Sequence, residues 1–177
     1  HLTRSADYLQ ALQQLGPNEV VTWARYVPER NATEYTIGAH QKTLDGCFHR
    51  ITGVLSSQRN SILGAEIFTL ANGLVLDRFF VSDLDHSHLP TDDRLNLIQQ
   101  KIKQVIERKE DVKPMFRQVW TASTDSTAGA INPLPSRVGI DNKSAEKYTI
   151  VTVFAYDRLG LLYNITKSLF DLELDVH

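Results

Sequence analysis

A short segment near the end of the chain combines residue types that suit the binding of a small charged molecule. Tyr156 to Phe170 reads YDRLGLLYNITKSLF, so Asp157 comes three positions before Gly160, which opens an amphipathic helix. The first N–H groups of a helix have no intrahelical partner and attract anions, and glycine lets a ligand approach the backbone closely. An adjacent carboxylate can accept hydrogen bonds from a cation. The spacing is typical of a strand–loop–helix junction that binds a small ligand.

The same residues are compatible with purely structural roles. Gly160 also suits a tight turn that binds nothing, and Asp157 also suits a simple partner for the positive end of the helix dipole. Arg158 is expected to be solvated. The sequence of this segment leaves these alternatives open.

An internal repeat gives the junction a second copy. DGCFHRITGVLSSQRNSI, from Asp45, aligns with LGLLYNITKSLFDLELDV, from Leu159, at a constant offset of 114 residues. The alignment places Gly46 on Gly160 and keeps the apolar face of the helix, with Thr52 on Thr166. A match that preserves the loop glycine and the buried face together indicates one structural unit used twice.

The elements around the first copy predict an α+β fold. Apolar spacing and turn residues indicate a lead-in helix after Ser5 and strands at Val20 to Tyr26 and 34–40. They also indicate a helix at 45–58 and a hairpin turning at Asn72-Gly73 between strands 60–70 and 73–82. A further helix is indicated at 91–109, with Thr91 as its cap. With a strand at about 136–141, the order is βαββαβ, a ferredoxin-like unit of two helices on a four-stranded antiparallel sheet. The second copy supplies a strand within 146–156, the helix from Gly160 to Leu172 and a strand beginning at Leu174.

Composition excludes several classes of function. The 177 residues have a formal net charge of −2, so no global attraction to nucleic acid is expected. The basic residues of the helix at 91–109 alternate with Glu107 and Glu110 and are expected to form a solvated face. The chain has a single cysteine, Cys47, which suits a reducing cytosol, and no apolar run near the roughly 20 residues that span a bilayer.

The motif and the element order together resemble the ACT domain family, a module that senses amino acids. The closest match is Tyr148 to Leu172, whose Asp157-Arg158-Leu159-Gly160 stands where the family has a DRxG loop. Two such units behind a helical lead-in resemble the C-terminal region of bacterial PII uridylyltransferases, bifunctional enzymes that uridylylate and deuridylylate the PII nitrogen-signalling protein. The sequence has Leu159 where the family usually has proline, and Thr43 in the first copy where the second has Asp157.

The resemblance implies a domain plan and a set of binding residues. The plan is a helical lead-in at 1–19, a first ACT domain at 20–141 with an irregular insertion at 110–135, and a truncated second ACT domain at 142–177. The ligand would be a free amino acid, glutamine in the family, with its carboxylate on the helix N–H groups and its ammonium on Asp157. The facing strand of a neighbouring unit would complete each pocket. The residues carried over are Asp45, Gly46, Cys47, Asn60, Asp157, Arg158, Leu159, Gly160, Leu161 and Leu162.

The resemblance also implies the cellular setting. The longer enzyme would be cytoplasmic, would use Mg²⁺ and would act on PII, whereas this chain carries no catalytic motif and needs no cofactor of its own. An ACT–ACT homodimer is a further expectation, and neither nucleic acid nor a membrane is expected as a partner. The alternatives are an ACT region of another amino-acid-controlled protein, or an ACT interaction module without a ligand. His86 and His88, beside Asp83 and Asp85, are compatible with a metal site but are expected to lie in a hydrated loop. Glu66, Asp77 and Arg78 are expected on exposed strand faces.

Overall fold

The computed structural model describes residues 2–44, 46–70, 72–86, 89–110, 112, 135–174 and 176, with side chains from Tyr8 onward. Asp45, His88 and most of the predicted insertion at 110–135 therefore lie outside the described residues. The elements are α1 (Leu2–Gln13), β1 (Val20–Val27), a 3-10 turn (Pro28–Arg30), β2 (Ala32–His40), α2 (Gln41–Leu44), α3 (Phe48–Ser57), β3 (Asn60–Thr69), β4 (Leu74–Asp83), α4 (Asp92–Arg108), β5 (Arg137–Asp141), β6 (Ile150–Phe154) and α5 (Leu161–Asp171).

Four of the strands form one antiparallel sheet in the order β1-β2-β4-β3. The hairpin between β3 and β4 turns at Asn72-Gly73 as predicted, and Gly73 adopts the left-handed φ of 76° that this turn favours. The sheet, with α3 and α4 on one face, confirms the predicted α+β class and ferredoxin-like arrangement.

The helices are fixed on the sheet by apolar faces with helical periodicity. Ile51, Val54 and Leu55 of α3 are fully buried against the sheet. The predicted cap of α4 is confirmed, because the Thr91 hydroxyl accepts a hydrogen bond from the Arg94 amide at 3.3 Å. The shared core also contains these residues of α4 and of the central strands: Ile98, Ile102, Val105, Ile106, Tyr35, Ile37, Phe79 and Val81.

The lead-in helix α1 covers the opposite face of the sheet. Leu12 is buried there, and a Cβ on Gly38 would lie 2.5 Å from its Cδ2 atom, so glycine is what allows this close contact. Tyr8 stacks on Trp23 with ring centroids 4.4 Å apart. The central strands β2 and β4 are thus covered on both faces.

The place of β5 differs from the sequence-based expectation. Residues 136–141 were expected to be the last strand of the first sheet, and this prediction is wrong. β5 pairs with β6 in a separate two-stranded antiparallel sheet, and β1 occupies the fourth position of the first sheet. The internal repeat explains this pairing. β6 lies 114 residues after the second half of β2, so the β5–β6 hairpin corresponds to the β1–β2 hairpin. The repeated unit begins one strand earlier than expected.

Two further expectations concern the ends of the second copy and the surface of α4. Leu174 and Val176 are not in a strand, which differs from the strand expected to begin at Leu174. On α4, Lys103 lies 3.6 Å from Glu107 and Arg108 lies 3.5 Å from Glu110, which is the expected solvated face. Within the described residues, none of the helices has the length and apolarity required to cross a bilayer.

Candidate functional site

The two repeated helices, α3 and α5, lie against each other through equivalent residues. The Oγ1 atoms of Thr52 and Thr166, which are 114 positions apart, are separated by 3.2 Å and both residues are buried. The helices approach closely at Gly53, where a Cβ would lie only 2.9 Å from the Tyr163 ring. Since the contact joins the same position of both copies, the repeats are related by an approximate two-fold axis between the threonines.

The first predicted loop places a left-handed glycine before a helix whose N-cap side chain forms no capping hydrogen bond. Gly46 has φ 66°, and Cys47 follows as the N-cap of α3 without a capping side-chain hydrogen bond. The first helical hydrogen bond is donated by the Ile51 amide to the Cys47 carbonyl at 2.9 Å. Helix α3 therefore begins directly after this left-handed loop.

The aromatic ring of Phe170 from the second copy lies against this first loop. A Cβ on Gly46 would come within 2.5 Å of the Phe170 Cε2 atom. The His49 ring lies over the same phenyl group, with centroids 4.4 Å apart, and the Arg50 guanidinium lies 5.8 Å from its centroid. Gly46 is thus required by the backbone conformation and by the contact with the other unit.

A cavity of about 110 Å³ lies beside Gly46, between the helix-facing side of the sheet and α5. Its volume is many times the roughly 10–15 Å³ that admits one water molecule. Both copies contribute to it: Gln41, Leu44, Gly46, Phe48, His49, Ile67, Thr69, Val75 and Asp77 from the first, and Thr166, Phe170, Leu174 and Val176 from the second.

The second predicted loop has the corresponding arrangement. Gly160 is the N-cap of α5 with φ 83° and no capping side-chain hydrogen bond, and the Leu161 amide donates to the Arg158 carbonyl at 3.0 Å. Asp157 and Arg158 are exposed, Leu159 is half-buried and Gly160 is buried. Together with Leu161 and Leu162 they line a cleft of about 420 Å³.

The first copy completes this second cleft. Its far side includes Ser56 at the end of α3 and Ser61, Ile62, Leu63 and Gly64 at the start of β3. In the repeat, Ser56 corresponds to Phe170, and Ile62 corresponds to Val176, both of which line the first cavity. Each loop therefore faces the helix end and following segment of the other copy, as the approximate two-fold axis requires.

The remaining predicted residues of the first unit lie beside the cavities rather than in them. Cys47 is buried, and its thiol donates to the Thr43 carbonyl at 3.4 Å. Asn60 is buried at the start of β3, where its side-chain amide donates to the Gln58 carbonyl at 3.1 Å, and its neighbour Ser61 lines the second cleft. Asp45 lies outside the described residues.

Asp77, which was expected on an exposed strand face, is the polar residue that the sequence interpretation missed. It is only 6% exposed, lines the first cavity, and its Oδ1 atom has no hydrogen-bond partner. Burial raises its pKa from 3.8 to about 7. The sequence of β4 contains a signal for this burial, because successive side chains of a strand point to opposite faces. Asp77 shares its face with Val75, Phe79 and Val81, and that face is apolar.

The histidine-containing loop after β4 surrounds the carboxylate of Asp83. The His86 Nδ1 atom lies 3.4 Å from the carboxylate of Asp83, and Arg94 contacts the same carboxylate at 3.0 Å. His88 lies outside the described residues. In the part of the chain that the structure describes, no group of three histidine, cysteine, aspartate or glutamate side chains is arranged to hold a metal ion.

Comparison with known proteins identifies relatives along most of the chain. No protein-family model matches it, and no solved structure matches it significantly. The chain is 31% identical over 150 residues to a bifunctional uridylyltransferase/uridylyl-removing enzyme of Gluconobacter oxydans, covering 85% of this chain and 16% of the relative. It is 32% identical over 148 residues to the enzyme of the same name in Azospirillum brasilense, covering 83% and 15%. A Novosphingobium aromaticivorans relative with that name is 28% identical over 169 residues, covering 96% and 18%.

Each of these three alignments spans at least 148 of the 177 residues, so each includes most of the chain between the two Gly loops. The chain spans about a sixth of the length of these curated relatives. The chain is therefore a homologue of the bifunctional uridylyltransferase/uridylyl-removing enzymes over a segment of that size.

Proposed function

We propose that this chain is an amino-acid-sensing regulatory segment, built from two ACT units, of a cytoplasmic enzyme that uridylylates and deuridylylates the PII protein. Glutamine is the proposed ligand. The observation that carries the proposal is the approximate two-fold axis at Thr52 and Thr166, which gives each Gly loop a cavity completed by the other copy.

The chemistry of the loops suits the carboxylate and ammonium groups of a free amino acid. In the second cleft, the ligand carboxylate would accept hydrogen bonds from the first N–H groups of α5, beyond Gly160. The exposed carboxylate of Asp157 lines the same cleft and would accept hydrogen bonds from the ligand ammonium. Leu161 and Leu162 would exclude water from these contacts.

Regulation follows from the composition of the cavity walls. Because residues of both copies line each cavity, a bound ligand stabilises the paired arrangement of α3 and α5 relative to a separated one. Such differential binding typically shifts an equilibrium by about 1–3 kcal/mol. In the longer enzyme, the shift would alter the balance between its two activities. Mg²⁺ would bind in the catalytic domains of that longer enzyme, and no residue of this chain is assigned to it.

Calorimetric titration of the chain with each of the twenty amino acids tests the sensing role. The expected result is saturable heat with glutamine, and Asp157→Ala is expected to weaken binding at the second cleft by about 1–3 kcal/mol. Asp93→Ala, an exposed residue of α4 outside both cavities, is the matched control. If none of the twenty binds, the sensing role is refuted.

A second candidate function, an interaction module that pairs without a ligand, is favoured by the exposed apolar residues of the β5–β6 hairpin. Val138, Ile140 and Phe154 are each about two-thirds exposed, at 65%, 69% and 66%. Surfaces of this kind are typical of association sites, including an ACT–ACT homodimer. Sedimentation equilibrium with and without glutamine distinguishes the two, since ligand-independent association with no amino-acid binding would favour the interaction module.

A further inference from the structure

Phe170 of the second copy lies on the first Gly loop, where a ligand would otherwise approach the glycine. A Cβ on Gly46 would come within 2.5 Å of the Phe170 Cε2 atom, so the ring rests directly against the glycine backbone. The His49 ring lies over the same phenyl group with centroids 4.4 Å apart, and the Arg50 guanidinium lies 5.8 Å from its centroid. The close approach that a glycine permits is therefore used at this loop by a side chain of the protein itself.

The space that remains beside the Phe170 ring is small. The cavity at Gly46 has a volume of about 110 Å³, whereas pockets for small molecules typically have about 300–1,000 Å³. The cleft at Gly160 has about 420 Å³ and falls within that range. Both glycines are left-handed, with φ 66° and 83°. The two loops thus share a backbone conformation but differ in the room that they leave for a ligand.

One pair of equivalent residues accounts for this difference in space. Ser56 at the end of α3 lines the Gly160 cleft, and Phe170, 114 positions later at the end of α5, lines the Gly46 cavity. The approximate two-fold axis makes each of these residues face the loop of the other copy. The short hydroxymethyl group of serine leaves the second loop open, whereas the aromatic ring fills the space in front of the first.

A second difference between the loops favours the same site. Thr43 stands at the position equivalent to Asp157, and its hydroxyl donates to the Pro17 carbonyl at 3.0 Å. Asp157 lines the Gly160 cleft, whereas Thr43 does not line the cavity at Gly46. A threonine hydroxyl also has no charge with which to hold an ammonium group.

We propose that Phe170 is an intramolecular occupant of the Gly46 loop, so that a free amino acid binds at Gly160 and not at Gly46. The side chain at the end of the facing helix decides whether each loop admits a ligand: Ser56 leaves the second cleft open and Phe170 fills the first. This inference rests on the proposed function and limits its ligand to one of the two repeated loops. The contact of Phe170 with Gly46 also holds the second copy on the first without a ligand.

The test compares the wild-type chain with variants in which the first loop is opened. Calorimetric titration with L-glutamine gives the number of ligands bound per chain, and the amide signals of Gly46 and Gly160 in ¹⁵N-labelled chain assign each ligand to a loop. The opened variant combines Thr43→Asp with Phe170→Ser, and a second version carries Phe170→Val, which keeps the position apolar. Thermal unfolding confirms that each variant is folded.

Two matched controls isolate the effect of the aromatic ring. Thr43→Asp alone supplies the carboxylate but retains Phe170. Leu172→Ser removes a neighbouring apolar side chain that is 69% exposed and lines neither cavity.

The wild-type chain and both controls are expected to bind one glutamine per chain, at Gly160. The opened variants are expected to bind a second glutamine, at Gly46, because the loop then has both space and a carboxylate. Ser56→Phe is expected to abolish binding at Gly160, because the added ring would fill that cleft as Phe170 fills the first.

The outcomes separate this inference from the proposed function. If the wild-type chain binds a glutamine at each loop, or if the opened variants still bind only one, the role of Phe170 is overturned while sensing at Gly160 remains supported. If the wild-type chain binds none of the twenty amino acids but the opened variants bind glutamine at Gly46, the role of Phe170 is supported and the proposed function fails. If no form of the chain binds any amino acid, both fail.

Discussion

Thr52 and Thr166 occupy the same position in two copies of one sequence unit, and their hydroxyl oxygens lie 3.2 Å apart in the buried contact between α3 and α5. Each hydroxyl also contacts a carbonyl of its own helix: Thr52 Oγ1 lies 3.0 Å from the His49 oxygen, and Thr166 Oγ1 lies 2.9 Å from the Leu162 oxygen. This contact marks the axis that places each Gly loop against the other copy.

A double-mutant cycle on the two threonines measures the strength of that contact. Thr52→Val and Thr166→Val each remove a hydroxyl at nearly constant volume, and each is expected to lower the free energy of unfolding by about 0.5–1.5 kcal/mol. Because the two groups touch, their effects are expected to be non-additive by roughly 0.5 kcal/mol or more in urea denaturation. Strict additivity would show that the hydroxyls do not interact in solution.

Replacing Gly46 tests the contact between the first loop and Phe170. Gly46→Ala imposes a left-handed φ of 66° on an alanine and places its Cβ 2.5 Å from the Phe170 ring. Gly73→Ala is the matched control, because its φ is 76° but no atom lies within 4 Å of the added Cβ. The control is expected to cost about 1–2 kcal/mol of stability and Gly46→Ala about 1–3 kcal/mol more. Equal losses in thermal unfolding would mean that Phe170 does not contact the loop.

The pH dependence of stability tests the burial of Asp77. Its pKa is raised from 3.8 to about 7 in the folded chain, so the folded state holds this proton more tightly than the unfolded state does. The contribution of Asp77 to stability is therefore fully present below about pH 4 and is lost as the pH rises to about 7. The loss is on the order of a few kcal/mol, since each pKa unit corresponds to about 1.4 kcal/mol.

Asp77→Asn is expected to remove that part of the slope between pH 4 and pH 7 in denaturant titrations. His49 lines the same cavity and is unchanged in the variant, so the difference between the two curves isolates Asp77. Parallel curves for wild type and variant would show that the carboxylate is solvated in the folded chain.

Arg94 is predicted to anchor the start of α4 to the sheet. Its guanidinium contacts the Asp83 carboxylate at 3.0 Å and also donates to the Gln58 carbonyl, and only 5% of the Asp83 side chain is exposed. Desolvation acts to raise the pKa of Asp83, but hydrogen bonds from Arg94 and the Asp85 amide lower it overall. Arg94→Gln is expected to lower the free energy of unfolding by about 3–5 kcal/mol, because it leaves the buried carboxylate of Asp83 without its arginine partner.

The matched control for Arg94 is Arg108→Gln on the same helix. Arg108 pairs with Glu110 at 3.5 Å, but its side chain is 66% exposed. Exposed pairs contribute roughly 0–1 kcal/mol, so the change is expected to alter stability little. A comparable loss in both variants, measured by urea denaturation, would show that burial of Asp83 does not set the strength of its ion pair.

The sequence predicted those features that depend on local chemistry or on the repeat. Gly46 and Gly160 were matched by their offset, and both adopt a left-handed backbone before a helix. The Asn72-Gly73 turn and the Thr91 cap were predictable because each uses residue types that satisfy one local geometry. The position of β5 was not predictable in this way, because a short strand carries no local signal that decides between two possible partners.

Asp77 was misplaced for a related reason. A polar residue in a strand is exposed in most proteins, and that expectation outweighed the alternation of β4, which placed Asp77 on the apolar face with Phe79. The partners that form each cavity could not be derived from either loop alone. They depend on the packing of α3 on α5 across more than a hundred residues.

The most direct test of the account is the rate of disulfide formation between Thr52→Cys and Thr166→Cys in a Cys47→Ala background. The account predicts a rapid intramolecular disulfide, because the two side chains face each other, and a further increase in rate with saturating glutamine. The control pair, Thr52→Cys with the exposed Ser168→Cys on the opposite side of α5, is expected to cross-link slowly. Equal rates for the two pairs, or cross-links only between molecules, would contradict the paired arrangement on which both cavities depend.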